Sequence, residues 1–264
     1  MPAETCPKLL VASNLDNTLT GVDGTVTEPT RQAITRLCAG GGRFVLVTTR
    51  PLRCALNTAL KLGADMLVCS GGALVVDPWK GRVLAASSFS LRDSRRLDEV
   101  LRSRIDGVRL AFDYRDRCAL DADFRTGWPE AVGLHRCARA TVSGPVTKVM
   151  VQSDSEDVEI LAKKLREEIG GIGAVAIPGP DFVDVLPVGV DAARHLRESP
   201  RRQATTVAFG SAPADVPLLR WADVGVAVAD ADLASMDAAD YLTAPHDDDG
   251  VAQFLDRILC GQSL

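Results

Sequence analysis

The chain has 264 residues, 46% of them hydrophobic, enough for a well-buried core and a second, smaller domain. Its formal net charge is -5 and its pI near 5.3, so the basic surface that nucleic acid or an anionic membrane requires is missing and neither is expected as a partner. No apolar run approaches the roughly 20 residues of a membrane span. The first residues hold no basic region followed by an apolar stretch, and the seven cysteines form no CxxC pair, so a cytoplasmic location with free thiols is expected.

In chain order, residues 8–13 form a short apolar run ending in a polar turn, the pattern of a buried strand. Thr27 and Pro29 open a helix with apolar positions Ala33, Ile34 and Leu37, and glycines 40–42 close it. Residues 44–48 are a second buried strand, Pro51 starts a helix running to about Leu62, and residues 66–69 are a third strand. This alternation is the signature of a parallel sheet covered by helices.

The rhythm changes after the turn-rich residues 77–81. From there to about residue 182 the strands read as half-exposed and hairpin-like (108–113, 118–121, then 147–152), with amphipathic helices near 91–104 and 156–169. The α/β rhythm resumes near Asp184, with strands at 205–209, 224–228 and 239–242, helical turns at 217–222, and a final helix at 251–259. The expected fold class is therefore α/β: a Rossmann-like parallel-sheet core domain over 1–80 and 184–264, interrupted by an inserted α+β cap domain over 81–183.

In an open parallel sheet, ligands bind beyond the carboxyl ends of the strands. Segments 14–19, 48–50, 184–191 and 210–215 fall there. Their order and spacing, with Gly225-Val226-Ala227-Val228, Ala239-Asp240-Tyr241 and Asp249-Gly250-Val251-Ala252 in the tail, resemble the four motifs of the haloacid dehalogenase (HAD) superfamily. The likeness is closest to its Cof-type, sugar-phosphatase-like (type IIB) branch, which carries a large α+β cap. It implies a phosphatase-like core and a small-molecule ligand in the core/cap cleft.

Residue by residue, the resemblance exposes departures. The first motif of such phosphatases reads DLDGT or DLDNT; here it is Asn14-Leu15-Asp16-Asn17-Thr18. Asn14 stands where the family places the nucleophilic Asp, and a neutral amide is a poor nucleophile. Asp16 keeps the position of the general acid/base, and Thr18 closes the motif as a substrate-binding candidate. Thr48 matches the hydroxyl of the second motif, followed by Thr49 and Arg50 as further substrate-binding candidates. The third motif should supply a Lys, but the text is Gly189-Val190-Asp191-Ala192-Ala193-Arg194, and no Lys follows Lys164. The fourth, normally GDxxND, reads Gly210-Ser211-Ala212-Pro213-Ala214-Asp215. Ser211 thus becomes a substrate-binding candidate in place of a metal ligand, and Asp215 remains as a weak metal candidate. The hinge into the cap is Ser70-Gly71-Gly72-Ala73, with Gly71 and Gly72 expected against the substrate.

The family cofactor is Mg²⁺, which is usually held through carboxylates in octahedral oxygen geometry. With Asp16 offering its backbone oxygen and Asp215 its carboxylate, any Mg²⁺ site is expected to be weak, and no cofactor is assigned. Three functions stay open: a redirected enzyme using Asp16 as acid or base, a non-catalytic metabolite-binding or regulatory pseudophosphatase, and a weak Mg²⁺-dependent phosphatase. Fold resemblance alone does not choose among them. The pair His135 and Cys137 is too small for a zinc site. The acidic turn 246–249 is read as a helix start, and the glycines at 170–173 lack the strand a dinucleotide loop requires.

Overall fold

A computed structural model of the chain describes residues 9–21, 23–126, 128, 134–198 and 204–261. The core elements in its first part are β1 (Leu9–Asn14), α1 (Glu28–Ala39), β2 (Arg43–Val47), α2 (Leu52–Lys61), β3 (Met66–Cys69), β4 (Leu74–Asp77) and β5 (Arg82–Ala86). The cap follows with α3 (Leu91–Arg104), β6 (Arg109–Asp113), β7 (Cys118–Asp121), β8 (Leu134–Cys137), β9 (Lys148–Gln152), α4 (Val158–Glu168), β10 (Gly173–Ala176) and β11 (Val183–Pro187). The chain returns to the core with α5 (Arg194–Glu198), β12 (Thr205–Gly210), α6 (Val216–Trp221), β13 (Val224–Val228), α7 (Leu233–Ala238), β14 (Tyr241–Thr243) and α8 (Gly250–Leu259).

The core sheet has the order β14-β13-β12-β1-β2-β3-β4-β5, parallel from β14 to β3 and antiparallel at β4 and β5. Its central strands are apolar through their middle on both faces because both faces are covered. Val11, Phe44, Leu46 and Phe209 point to the side of α1, α2 and α8, where Ile34, Leu37 and Phe254 meet them. Ala12, Val45, Val47 and Ala208 point to the other side, against Leu196, Leu218 and Trp221. Local signals start and stop the helices as expected. Thr27 caps α1 by accepting from the Thr30 N–H at 3.3 Å, Pro29 lies in the first turn, and Gly40 ends it.

The cap sheet runs β10-β11-β9-β6-β7-β8, antiparallel except for the β7–β8 pair. One face packs on α3 and α4 through Leu97, Leu101, Phe112, Val149, Leu165 and Val185. The opposite face carries Ala111, Met150 and Phe182 together with three fully buried charged residues, Asp113, Lys148 and Asp184.

Two boundaries differ from the sequence expectation. β5 (Arg82–Ala86) is the edge strand of the core sheet, not part of the cap, and β11 (Val183–Pro187) pairs with β9 and β10 in the cap sheet, not with the core. Asp184 therefore belongs to a cap strand. The reason is that β11 is buried nearly throughout, and a continuous apolar run reads the same in either sheet. The strand at 109–113 is likewise almost wholly buried rather than half-exposed, because helices cover one face and the core side the other.

Candidate functional site

Asn14 ends β1, Thr48 follows β2, and Ser211 follows β12, so three adjacent parallel strands deliver their polar ends to one place. The loop after β1 turns tightly: Asn17 takes φ 52°, Leu15 is fully buried in the core, and its carbonyl accepts from the Leu19 and Thr20 N–H groups. Gly210 is required by close approach, since a Cβ there would lie 2.6 Å from the Asp215 Cβ. Gly72, at φ 95°, packs the hinge on the loop before α5, where a Cβ would lie 2.0 Å from the Asp191 carbonyl oxygen.

The Asn14 amide nitrogen donates twice, to Asp215 Oδ2 at 3.0 Å and to the Asp16 carbonyl oxygen at 3.1 Å. Asp215 Oδ2 also accepts from the backbone N–H groups of Ser211 (2.9 Å) and Ala212 (3.0 Å). Burial nevertheless pushes the Asp215 carboxyl up to about 6; the three donors oppose that rise without cancelling it. The Thr18 hydroxyl donates to Ser211 Oγ at 2.9 Å, so these two candidate side chains satisfy each other. Asp16 is held by Arg50, whose Nε lies 3.0 Å from both carboxylate oxygens and whose Nη2 adds a second contact. The Arg50 N–H bonds back to Thr48 Oγ1 at 3.1 Å.

Two cavities meet at Thr49, which lines both. The first, about 260 Å³, has Asn14, Thr48 and Asp215 at one end, with Gly71 of the hinge beside them. Apolar residues from both domains form its walls, among them Ala176 and Leu186 from the cap and Val190 and Pro217 from the core. The second, about 370 Å³, is lined by Asp16, Arg50, Trp128, Asp181 and Phe182. Asn14 and Asp16 therefore open onto different cavities, although they are two residues apart. Among the predicted residues, Asn14, Thr48, Thr49, Gly71 and Asp215 come together around the first cavity. Asp16, Arg50 and Thr49 come together around the second, while Thr18 and Ser211 pair behind the loop and Gly72 braces the hinge.

Sequence reasoning missed what the cap contributes. Lys148 Nζ is fully buried and donates to both Asp184 oxygens at 2.9 Å and, across the domain boundary, to the Thr49 carbonyl oxygen at 2.6 Å. Asp113, opposite Lys148 in the β6–β9 register, has no hydrogen-bond partner for either carboxylate oxygen. Burial pushes its carboxyl up to about 7, with Lys148 opposing. The available signal was a charged residue on the inner face of each of three mainly apolar strands. No motif spacing pointed to them.

With the geometry in hand, the relatives can be placed. A family profile described as haloacid dehalogenase-like hydrolase matches residues 11–255. The chain is 28% identical, over 267 residues, to 5-amino-6-(5-phospho-D-ribitylamino)uracil phosphatase YitU of Bacillus subtilis (strain 168), an alignment covering 93% of this chain and 96% of that protein. Among solved structures, SMU.1108c from Streptococcus mutans UA159 superposes with a TM-score of 0.80 at 18% identity, covering 95% of this chain and 98% of that one. The HAD subclass IIB sugar phosphatase BT4131 superposes with a TM-score of 0.76 at 20% identity and the same coverage. At these identities the structural likeness is one of fold.

Proposed function

The chain belongs to the haloacid dehalogenase-like hydrolases, and from that premise we propose that its core–cap cleft binds a small, unphosphorylated metabolite and no longer passes a phosphoryl group through an aspartyl intermediate. The observation that carries this reading is the double hydrogen bond of the Asn14 amide to Asp215 Oδ2 and the Asp16 carbonyl. The Asp16 carbonyl and the Asp215 carboxylate are the groups that the family resemblance leaves for Mg²⁺. An amide nitrogen supplies both with a donor, so the donor set does not fit a divalent cation that needs several free oxygens in octahedral array.

The surroundings support the same reading. Ser211, in the place of a metal-binding carboxylate, is neutral and tied to Thr18. In the third motif Asp191 pairs with Arg197 and accepts the Ala193 N–H, while Arg194 turns back to the Gly189 carbonyl at 3.3 Å. Among the described residues, the cavity end that would receive a phosphoryl group thus presents an amide, a hydroxyl and a carboxyl, while Arg50 and Lys148 nearby are bound to Asp16 and Asp184. A dianion there would be desolvated without a compensating charge. In this reading Asp16 and Arg50 hold the loop.

A second reading, acid–base chemistry at Asp16, is favoured by one observation: its side chain is 30% exposed and opens onto the cavity shared with Trp128 and Phe182. The YitU substrate and simple phosphosugars serve as probes of the ancestral activity. A thermal-shift panel tests all three readings, comparing Mg²⁺ alone, phosphosugars with and without Mg²⁺, and the matching unphosphorylated compounds. Stabilisation by unphosphorylated compounds alone is expected, and a ligand at about 100 times its dissociation constant should add about 2.7 kcal/mol. A phosphosugar that stabilises only with Mg²⁺, or any Mg²⁺-dependent phosphate release, would overturn the proposal. Ligand turnover that Asp16→Asn abolishes would select the second reading.

A further inference from the structure

The first cavity has an asymmetry that narrows its ligand. Most of the charged groups around it are already partnered. Asp184 takes Lys148, Asp191 takes Arg197, and Asp215 takes the Asn14 amide and two backbone N–H groups. Arg166 is the exception. It lies in the last turn of α4, beside the edge strand β10, and lines the cavity together with residues 174–176 of that strand and Ile177 after it. It makes no hydrogen bond or ion pair with any described residue.

Resting on the reading above, we propose that Arg166 is the specificity-determining residue of the cavity and that it binds the carboxylate of a small, otherwise apolar acid. A guanidinium offers a planar pair of donors that matches a carboxylate, and Arg166, itself exposed, presents that pair at the rim of a cavity whose wall is largely apolar. The far end of the cavity is suited to the opposite pole of the ligand. The Asn14 side-chain oxygen accepts no hydrogen bond from a described residue, and Asp215 has one carboxylate oxygen beyond its three bonds, so both accept from a ligand hydroxyl or amine. A volume of about 260 Å³ lies just under the range of roughly 300–1,000 Å³ for drug-sized ligands, which points to a small molecule. A single guanidinium, with Asp184 and Asp191 also at the wall, balances one negative charge rather than the two of a phosphate monoester.

The test uses three probes of one shape, phenylacetate, phenylacetamide and phenyl phosphate, titrated into the full chain, Arg166→Gln and Arg166→Lys by calorimetry. The acid should bind wild type at least tenfold more tightly than the amide. Arg166→Gln should erase that ratio and Arg166→Lys should restore part of it. An Arg166 that only complements the C-terminus of α4 would change the ligand-free melting temperature and leave the ratio intact. Equal binding of acid and amide by wild type, or a preference that survives Arg166→Gln, would overturn the inference while leaving the cavity reading in place. Tighter Arg166-dependent binding of phenyl phosphate would overturn the carboxylate assignment. Binding of none of the probes would overturn the cavity reading and this inference with it.

Discussion

The loops at the strand ends of the core and the inner face of the cap handle polar burial in opposite ways. Around Asn14 the buried polar atoms close a short circuit of neutral donors and one carboxyl: amide to Asp215, hydroxyl to hydroxyl, backbone N–H to Oδ2. On the cap face two carboxylates and one ammonium are fully buried; the ammonium pairs with Asp184, and Asp113 has no hydrogen-bond partner for either oxygen. The ends of the core strands are thus linked mainly through neutral groups. The cap keeps charge where it touches the core, with Lys148 bridging Asp184 to the Thr49 carbonyl.

The largest expected effect breaks that join. Lys148→Met leaves two buried carboxylates without a counter-charge, which should cost about 3–5 kcal/mol and lower the urea midpoint accordingly. The double variant Lys148→Met, Asp184→Leu should recover much of the loss, because it removes the pair together and leaves only Asp113, whose carboxyl burial already pushes up to about 7. No recovery would mean that the bond to Thr49, rather than the charge pair, holds the domains.

The next effect is a pH dependence. Asp113 titrates near 7 in the folded chain against 3.8 as a free side chain, so between those values the folded state holds one proton more. Stability from this group is fully present below pH 4, is lost as pH rises through 7, and is constant beyond. At about 1.4 kcal/mol per unit the total is a few kcal/mol. Asp113→Asn should flatten the profile between pH 4 and 7. An unchanged slope would show that Asp113 stays ionised beside Lys148.

The smallest effect probes the core. Asn14→Asp places a second carboxylate against Asp215 at hydrogen-bond distance and should cost about 1–3 kcal/mol at pH 7 without metal. Added Mg²⁺ should return part of that stability in the variant and have no effect on wild type. A Mg²⁺ response in wild type would place the core back among metal-dependent sites.

Much of this was legible from local pattern. The apolar runs at Val11, Phe44 and Phe209, the Thr27 cap and the spacing of the strand-end loops are set by neighbours within a few residues, and together they placed the cleft. That Asn14 and Ser211 stand where the resemblance would place carboxylates was likewise visible in the text of the chain, because it concerns residue type alone. β11 was misassigned because a strand buried on both faces carries no mark of which sheet it joins.

Side-chain direction and partnership lay outside the sequence's reach. Asp16 faces Arg50 rather than the Asn14 cavity, Lys148 reaches Thr49 across a separation of 99 positions, and Arg166 comes beside residues 174–177 at the cavity wall. Residue order decides which strands and turns form, since φ/ψ preferences and periodicity act over short range. Which charge meets which carboxylate is decided when two sheets close on each other, because burial and distance, not spacing along the chain, set the electrostatics there.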